Sequence, residues 1–425
     1  MVSLNGSIMN KTDVLVIGGG PAGMMAAITA AQQGAQVLLI ERMDRLGRKL
    51  NITGKGRCNV TNNASQEELM RNVVHNGRFL FSAFSRFDAL DTMAFFEKLG
   101  VPLKTERGNR VFPVSDSAFD ISGALQRQLR HSGVNVLQDR IQSLLVKDEI
   151  LLGTVGEKGK YLSKNIVIAT GGISYPATGS SGDGYQLARQ AGHTIVAPRA
   201  SLVPLTSPDS DCEEMQGLAL KNVAIKVKDP CGKIICEDFG EMLFTHFGLS
   251  GPMILSASAR LDWKAEYYSV EIDLKPALDE SALDARLLRD LEQQNNRDFV
   301  NVLSGLLPHS MIDVMVRRTK IPPQTKANAV TRGQRHELLR QLKCFTVQVN
   351  GTRPVEEAIV TQGGVSVKEI VPGTMQSKCL PGLYFAGEVM DVDALTGGFN
   401  LQIAWATGYL AGKSAAEAAI GEEKR

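Results

Sequence analysis

Cysteine is scarce. Six irregularly spaced cysteines in 425 residues make no disulfide framework, and a reducing, cytoplasmic setting is the simpler reading. Cys231 and Cys236 have no second ligand pair nearby, so no metal site is expected. No apolar run approaches the roughly 20 residues that a membrane helix needs, and no membrane partner is expected. The opening MVSLNGSIMN lacks a basic start followed by a long apolar stretch, so no secretion signal is read there. An excess of one charge is missing too. Lys and Arg number 47 against 45 Asp and Glu, a net charge of +2, so any grip on nucleic acid has to come from a local patch. No internal repeat or low-complexity tract is present. Hydrophobic residues at 43% and charged residues at 22% exclude a disordered or fibrous chain. At 46.0 kDa the chain has room for an inserted second unit.

What is abundant is glycine, with 41 residues against a usual share of about 7%. The glycines cluster where chemistry is expected. Val14 to Ile17 reads as a buried strand, followed by Gly18-Gly19-Gly20-Pro21-Ala22-Gly23 and a helix that Gly34 ends. Val37 to Ile40 reads as a second buried parallel strand closed by Glu41. The spacing Gly18-x-Gly20-x-x-Gly23 is weak alone, but between a strand and a helix, with an acid ending the next strand, it reads as a dinucleotide site. Gly18 permits the tight turn, Gly20 lets backbone approach a pyrophosphate, and Gly23 lets the helix pack on the strand. The helix N-terminus offers N–H groups to phosphate, and Glu41 can accept from ribose hydroxyls.

Helices are also expected over Asp91–Leu99 and Ile121–His131, with strands from Val134 and over Asn165–Ala169, the latter running into Thr170-Gly171-Gly172. From residue 195 to about 275 the pattern turns to β-type alternation, and from about 276 to 345 it is mostly helical. The last stretch returns to strand–glycine–helix logic: Leu383 to Ala386, then Gly387-Glu388-Val-Met-Asp391, then a small-residue helix from Asn400. No second Gly-x-Gly-x-x-Gly exists. A second strand-to-helix turn carrying Asp391 suits a long cofactor held from both ends, FAD rather than NAD.

These motifs carry a resemblance. The run Gly47-Arg-Lys-Leu-Asn-Ile-Thr-Gly-Lys-Gly56-Arg57-Cys58-Asn59-Val-Thr-Asn62 resembles the second motif of the bacterial BaiN/RdsA-like (YhiN-like) FAD oxidoreductases, some of which are known as aminoacetone oxidases. Gly108–Pro113, Ala169–Gly172 with Tyr175-Pro176, Leu243–Pro252, Thr361–Val365 and Gly387–Asn400 extend the likeness over nearly the whole chain. Lys55 departs from it, standing where the family usually shows glycine. The resemblance implies an α/β fold: a Rossmann-like FAD-binding domain of glutathione-reductase type, interrupted by an inserted β-barrel-like domain and a small helical subdomain. The corresponding segments are 1–194, 195–275, 276–345 and 346–425.

Around the cofactor, Arg42, Arg48 and Lys49 are the natural counter-charges for a pyrophosphate. Members of the family pass backbone along the adenine where Arg140 and Ile141 stand, and Asn59 lies in the second motif. Thr170 and Gly171 end a strand against the cofactor. Gly387, Glu388 and Asp391 form the far grip. Gly397 and Gly398 lead into a helix whose first turn, with Asn400 and Leu401, directs N–H groups toward the flavin. Arg57, Cys58, Arg110, Tyr175 and His246 are candidates for proton chemistry. Cys58 has no CxxC partner, which argues against a flavin–disulfide relay and leaves a proton donor or a packed thiol. His246 is read as a substrate-facing acid or a core histidine.

Arg317–Lys343 carries eight cations against Glu337 alone, a one-sidedness that suits a phosphate-rich partner. The resemblance adds that part of the family is linked to reducing a uridine of 23S rRNA to dihydrouridine. Four functions follow. The first is reduction of an activated C=C driven by NAD(P)H, with that rRNA uridine as preferred substrate. The others are small-amine oxidation with oxygen, reduction of a steroid or bile-acid enone, and a flavin-bearing RNA-binding protein without turnover.

Overall fold

The computed structural model describes residues 8–423. Residues 1–7, in the stretch read as carrying no secretion signal, lie outside the described residues. The chain divides into two compact units, one built from the segment up to Ser201 together with Val355 onward, the other from Leu202–Pro354.

The first unit is organised by a five-stranded parallel sheet in the order Leu383–Phe385, Asn165–Ile168, Val14–Ile17, Val37–Glu41, Asn135–Gln138. Its central strands are buried along their whole length. That is why they read as continuous apolar runs, the mark of a parallel sheet covered on both faces. The pairing Val14↔Val37 to Ile17↔Ile40 brings the ends of these strands level, so the loops after Ile17 and Glu41 emerge together. The sheet draws its edge strand from the last part of the chain, so the Rossmann layer is completed by pairing residues more than 200 positions apart.

Two helices lie against this layer and against each other. Pro21–Gln32 begins at the glycine loop, with Pro21 where its missing N–H costs nothing. Phe399–Glu423 is longer than the sequence suggested. A Cβ on Gly408 would fall on the carbonyl oxygen of Ala22, and one on Gly412 on that of Ala26. The two helices therefore touch backbone to backbone and run in the same direction.

Ile195–Ser201 forms a ladder with Val360–Val365, within the first unit. The second unit contains a seven-stranded antiparallel sheet ordered Phe345–Val349, Tyr268–Asp273, Ala219–Lys228, Ile234–Thr245, Gly248–Ser250, Leu205–Thr206, Gly351–Thr352. Helices Glu280–Gln293, His309–Thr319 and Arg332–Lys343 share one core with it, through Leu283, Leu287, Met311, Leu338 and Leu342 against Val270, Ile272 and Phe345. The β-rich and helical segments that the sequence separates near residue 275 are thus one compact unit, because the helices bury their apolar faces on the sheet.

Gly408→Ala is expected to destabilise the protein by about 1–3 kcal/mol, since a rigid carbonyl cannot move aside. Gly421→Ala, with no atom within 4 Å of the added carbon, is expected to be neutral or mildly stabilising. Urea unfolding of the two variants checks the contrast.

Candidate functional site

The three fingerprint glycines occupy three different environments. Gly18 has φ +106° and donates its N–H to Ile40 O at 2.8 Å. A side chain on Gly23 would strike the Gly18 carbonyl, whereas nothing lies within 4 Å of a Cβ on Gly20. The turn is thus sealed on the strand side and open at Gly20, where the helix Pro21–Gln32 starts without a side-chain cap. Glu41 closes the neighbouring strand and is locked to this loop: Oε2 accepts from Gly19 N at 2.6 Å and Oε1 from Met43 N at 2.8 Å.

A narrow cleft, open to solvent, lies here. Gly18, Glu41, Arg42, Arg140, Ile141 and Thr170 line it together, residues scattered over some 150 positions of the chain. Asp183 lines it as well and was missed by the sequence reading. Arg140 grips its carboxylate with two hydrogen bonds of 3.0 Å, and Arg42 lies 3.3 Å away. Burial alone pushes the Asp183 pKa up. The hydrogen bonds from Arg140 and Ser181 and the two guanidinium charges outweigh burial and hold it below the usual carboxylate value. The available signal was the glycine-rich run Gly179-Ser-Ser-Gly182-Asp183-Gly184 before a helix, with Gly179 at φ +111° and Gly182 at φ +79°.

Arg48 and Lys49 do not line this cleft. Arg48 turns to Asp44 at 3.2 Å on the surface. Lys49 Nζ sits 2.7 Å from Glu388 Oε2 and 2.7 Å from Ser174 Oγ. Glu388 Oε1 in turn accepts from Thr361 N at 2.9 Å. Lys49 and Glu388 are therefore an ion pair joining the two distant stretches. The same join recurs at Gly387, where an added Cβ would come within 2.7 Å of Ala22 Cβ.

Asp391 is anchored by its N–H to Val365 O at 2.9 Å and accepts from Asn76 Nδ2 at 2.9 Å. Burial raises its pKa above the ordinary carboxylate value, although the Asn76 hydrogen bond opposes it. Gly397 and Gly398, at φ +124° and +101°, deliver the chain to the last helix, where a Cβ on Gly398 would collide with the Thr61 backbone. Leu401, half-buried, packs against the core. The Asn400 side chain is spent on its own loop, accepting from Ala394 N at 3.0 Å and donating to Ala394 O at 2.7 Å. By contrast Asn51 Oδ1, Asn59 Oδ1 and Thr170 Oγ1 are buried without a hydrogen-bond partner. Buried polar atoms are rarely left so, and a ligand rich in hydroxyl, amide and phosphate groups fits these atoms, the open Gly20 and the cleft.

The proton-transfer candidates fare differently. Cys58 is fully buried at φ +58°, and burial pushes its pKa up to about 12, too high for a thiolate or a useful acid near neutrality. Arg57 is clamped between Glu106 at 2.5 Å and Asp116 at 2.6 Å, over the Phe112 ring. These partners raise its pKa, Glu106 foremost, so it serves as a charge brace and not as a proton source. Arg110 is exposed and donates from Nε to Arg107 O at 3.1 Å. Tyr175 takes φ +51° ahead of the short turn Pro176–Thr178. His246 is exposed on the second unit's turn between Ile234–Thr245 and Gly248–Ser250, its ring edge-on to Phe247.

The basic arm loses its one-sidedness in three dimensions. Arg317 and Arg318 both reach Asp211, and Arg317 also reaches Glu214 at 2.9 Å. Lys326 pairs with Asp298, Arg335 with Asp284, Arg340 with Glu337 and Lys343 with Asp273. Acids from elsewhere in the same unit neutralise most of what looks like a polycation in chain order.

A family model described as the HI0933-like protein Rossmann domain matches residues 12–414. The chain is 34% identical to the ribosomal RNA dihydrouridine synthase of Escherichia coli (strain K12), over 94% of this chain and 97% of the relative. It is 31% identical to the 3-dehydro-bile acid delta(4,6)-reductase of Clostridium scindens, over 95% and 98%. Among solved structures it resembles the 3-ketosteroid-delta4-(5alpha)-dehydrogenase of Rhodococcus jostii RHA1. The TM-score is 0.52 at 15% identity, covering 98% of this chain and 99% of that one; this likeness concerns the fold. Among the described residues no helix is long and apolar enough to cross a membrane.

With its pKa near 12, Cys58 is expected to resist iodoacetamide at pH 8 in the folded protein, while the exposed Cys231 and Cys379 react. Peptide mass spectrometry before and after denaturation reads this directly, and labelling of native Cys58 would contradict it.

Proposed function

We propose, for a chain that belongs to the HI0933-like Rossmann family and is an FAD-dependent oxidoreductase, that it reduces a carbon–carbon double bond conjugated to a carbonyl, using electrons from NADH or NADPH. One observation carries this reading. Two relatives, each more than 30% identical over nearly their whole length, are named for a ribosomal uridine and for a 3-oxo bile acid. Making dihydrouridine and removing a delta-4 bond beside a 3-oxo group are the same operation on different molecules. The preferred substrate is a uridine of 23S rRNA. A small enone is the second reading, favoured by the neutralised basic arm. Neither named relative acts on an amine, so small-amine oxidation has no comparable support.

Bound FAD supplies two-electron hydride chemistry; the chain supplies placement and charge. The Gly18–Gly23 turn and the helix N-terminus at Pro21 and Ala22 would hold the pyrophosphate. Glu41, fixed by two backbone N–H groups, would accept from the ribose. Arg42, Arg140 and Ile141 would wall the adenine end, with Asp183 holding both guanidinium groups in place. Thr170, Gly171 and Asn59 would line the middle. Gly387, Asp391, Gly398 and the first turn at Leu401 would close the far end. Lys49 and Glu388 pin that end to the first.

The parallel packing of the two helices gives this arrangement a length. Gly408 is level with Ala22, so the last helix begins roughly 12 Å beyond the first, at 1.5 Å per residue. Two positive helix ends staggered by that distance suit a phosphate at one and a flavin carrying negative charge at the other.

Gly20→Val separates this reading from a purely structural loop. The backbone there is extended on an ordinary φ of −78° and the Cβ position is open, so stability should hold. A branched side chain at the phosphate position is expected to weaken FAD retention at least about tenfold, the equivalent of 1.4 kcal/mol. Fluorescence titration of the apoprotein with FAD gives the number, and unaltered binding would contradict the assignment.

The substrate test is anaerobic. The bound flavin is reduced with NADH or NADPH and mixed with unmodified 23S rRNA transcript, a 4-en-3-oxo steroid or aminoacetone. Return of the yellow absorbance with rRNA or the enone is expected. No reoxidation by either alkene, together with peroxide formed from aminoacetone in a separate assay in air, would replace alkene reduction with amine oxidation.

A further inference from the structure

Saturating a conjugated alkene needs a proton as well as a hydride, and neither the buried Cys58 nor the clamped Arg57 is suited to deliver it. The first unit holds one constellation that is. His75 ends the strand Val73–His75, which is laddered to Asp393–Ala394. His75 Nδ1 lies 2.6 Å from Asp393 Oδ1, and the other oxygen of that carboxylate accepts from Ser201 Oγ at 2.7 Å. Asp393 is 1% exposed while the His75 side chain is 35% exposed. A buried carboxylate with both oxygens engaged fixes the ring and holds the proton on Nδ1, which leaves Nε2 as the nitrogen not tied to the carboxylate. The Gln362 amide nitrogen stands 3.1 Å from Nε2 and donates to it when the ring is neutral. Turned with its oxygen to the ring, that amide accepts the Nε2–H at rest.

The position matters as much as the chemistry. Asp393 lies between Asp391 and the glycine pair that starts the last helix. The Val360–Val365 strand that carries Gln362 also bonds Asp391 through Val365, and Thr361 of that strand bonds Glu388. His75 is therefore built onto the segment assigned above to the flavin end, beyond the carboxyl edge of the parallel sheet, where ligands of such sheets bind.

We propose that His75 is the general acid of this site, donating its Nε2 proton to the substrate carbon next to the carbonyl. The inference rests on the alkene-reductase reading. Bound FAD, restored by the nicotinamide, would supply the hydride for a C–H bond at the carbon remote from the carbonyl. The π electrons shift toward the carbonyl, and the imidazolium proton completes the second C–H bond, leaving neutral imidazole that solvent reprotonates. The charged groups facing the ring are Asp393 and Asp391; Arg199 stands opposite Gln362 in the adjoining ladder. The Asp393 hydrogen bond, above all, raises the His75 pKa, burial opposes it, and the charges of Asp393 and Asp391 add to the rise. The acid form therefore persists above the ordinary value of 6.5 and is lost as pH climbs through the raised one.

Two measurements decide the matter. The imidazole of His75, followed by NMR in the FAD-loaded protein without substrate, is expected to titrate above 6.5 and to fall in Asp393→Asn. Titration at or below 6.5 in the wild type overturns the proposal. In the anaerobic mixing experiment with 23S rRNA transcript or the 4-en-3-oxo steroid, His75→Gln is expected to keep FAD and its reduction by NAD(P)H within about twofold. Its reoxidation by substrate should slow about 100-fold, the lower range for general acid catalysis, with the alkaline limb of the pH profile gone. Asp393→Asn should keep that limb but move it to lower pH. A His75→Gln protein that reoxidises at the wild-type rate with the wild-type profile also overturns it. Failure of wild-type protein with every alkene is a different result and removes the alkene reading itself.

Discussion

The contact on which the site depends is the one between two stretches of backbone, at Gly408 on Ala22 and Gly412 on Ala26. It is a packing constraint before it is a chemical one. The carbonyls of the first helix lie where side chains of the last would be, so only glycine lets the helices come this close. That closeness aligns them in parallel and lets the end of the chain complete the sheet begun at Val14. The Lys49–Glu388 pair then fixes rotation and register between the halves. Both side chains are about one-fifth exposed, so water screens their attraction less than at a surface pair. The adjoining hydrogen bonds from Ser174 and Thr361 satisfy the carboxylate's remaining demand.

A second theme is that charge in this protein is consumed locally. Asp183 takes up both arginines at the cleft, Glu106 and Asp116 take up Arg57, and Asp211 takes up Arg317 and Arg318. A guanidinium held by a carboxylate is oriented in advance, which suits a fixed cofactor wall. The same pairing works against a polyanion: a cation already matched gains little when it exchanges its carboxylate for a phosphate. Counting charges along Arg317–Lys343 overstates its field because the neutralising acids Asp211, Asp273, Asp284 and Asp298 lie outside the segment.

Legibility in the sequence followed the range of the interactions. The βαβ unit, the turn glycines Gly18 and Gly23 and the acid at Glu41 were readable because strand, turn, helix and strand are contiguous and those two glycines answer a local steric demand. Arg42 and Thr170 were readable from strand ends, since strands in a parallel sheet finish at one edge, whereas Arg140 and Ile141 came from the family resemblance. Asp183 was not, because its partners are 43 and 141 residues away and its signal is a turn, not an element. Lys49 reads as a phosphate counter-charge in the sequence, where nothing places Glu388 beside it. His75 escaped for the same reason, its carboxylate lying 318 residues further on. For Cys58 the motif leaves a proton donor or a packed thiol, and burial, which a motif does not report, favours the packed thiol.

Substrate choice therefore cannot be assigned to the frame that holds the cofactor. Two relatives that span this chain almost end to end are named for substrates as unlike as ribosomal RNA and a bile acid, so the frame itself is compatible with both. Net charge does not choose either, at +2 with the arm largely paired. What both substrates share is an electron-poor double bond beside a carbonyl, and what both require is a positioned hydride, a proton and exclusion of competing water. A scaffold that supplies those three can change substrate by altering the groups around the ring, with no change at Gly18, Glu41 or Glu388. The residues expected to discriminate are accordingly those near Gln362, Asp391 and His75, where the chain offers side chains rather than backbone to the reacting end.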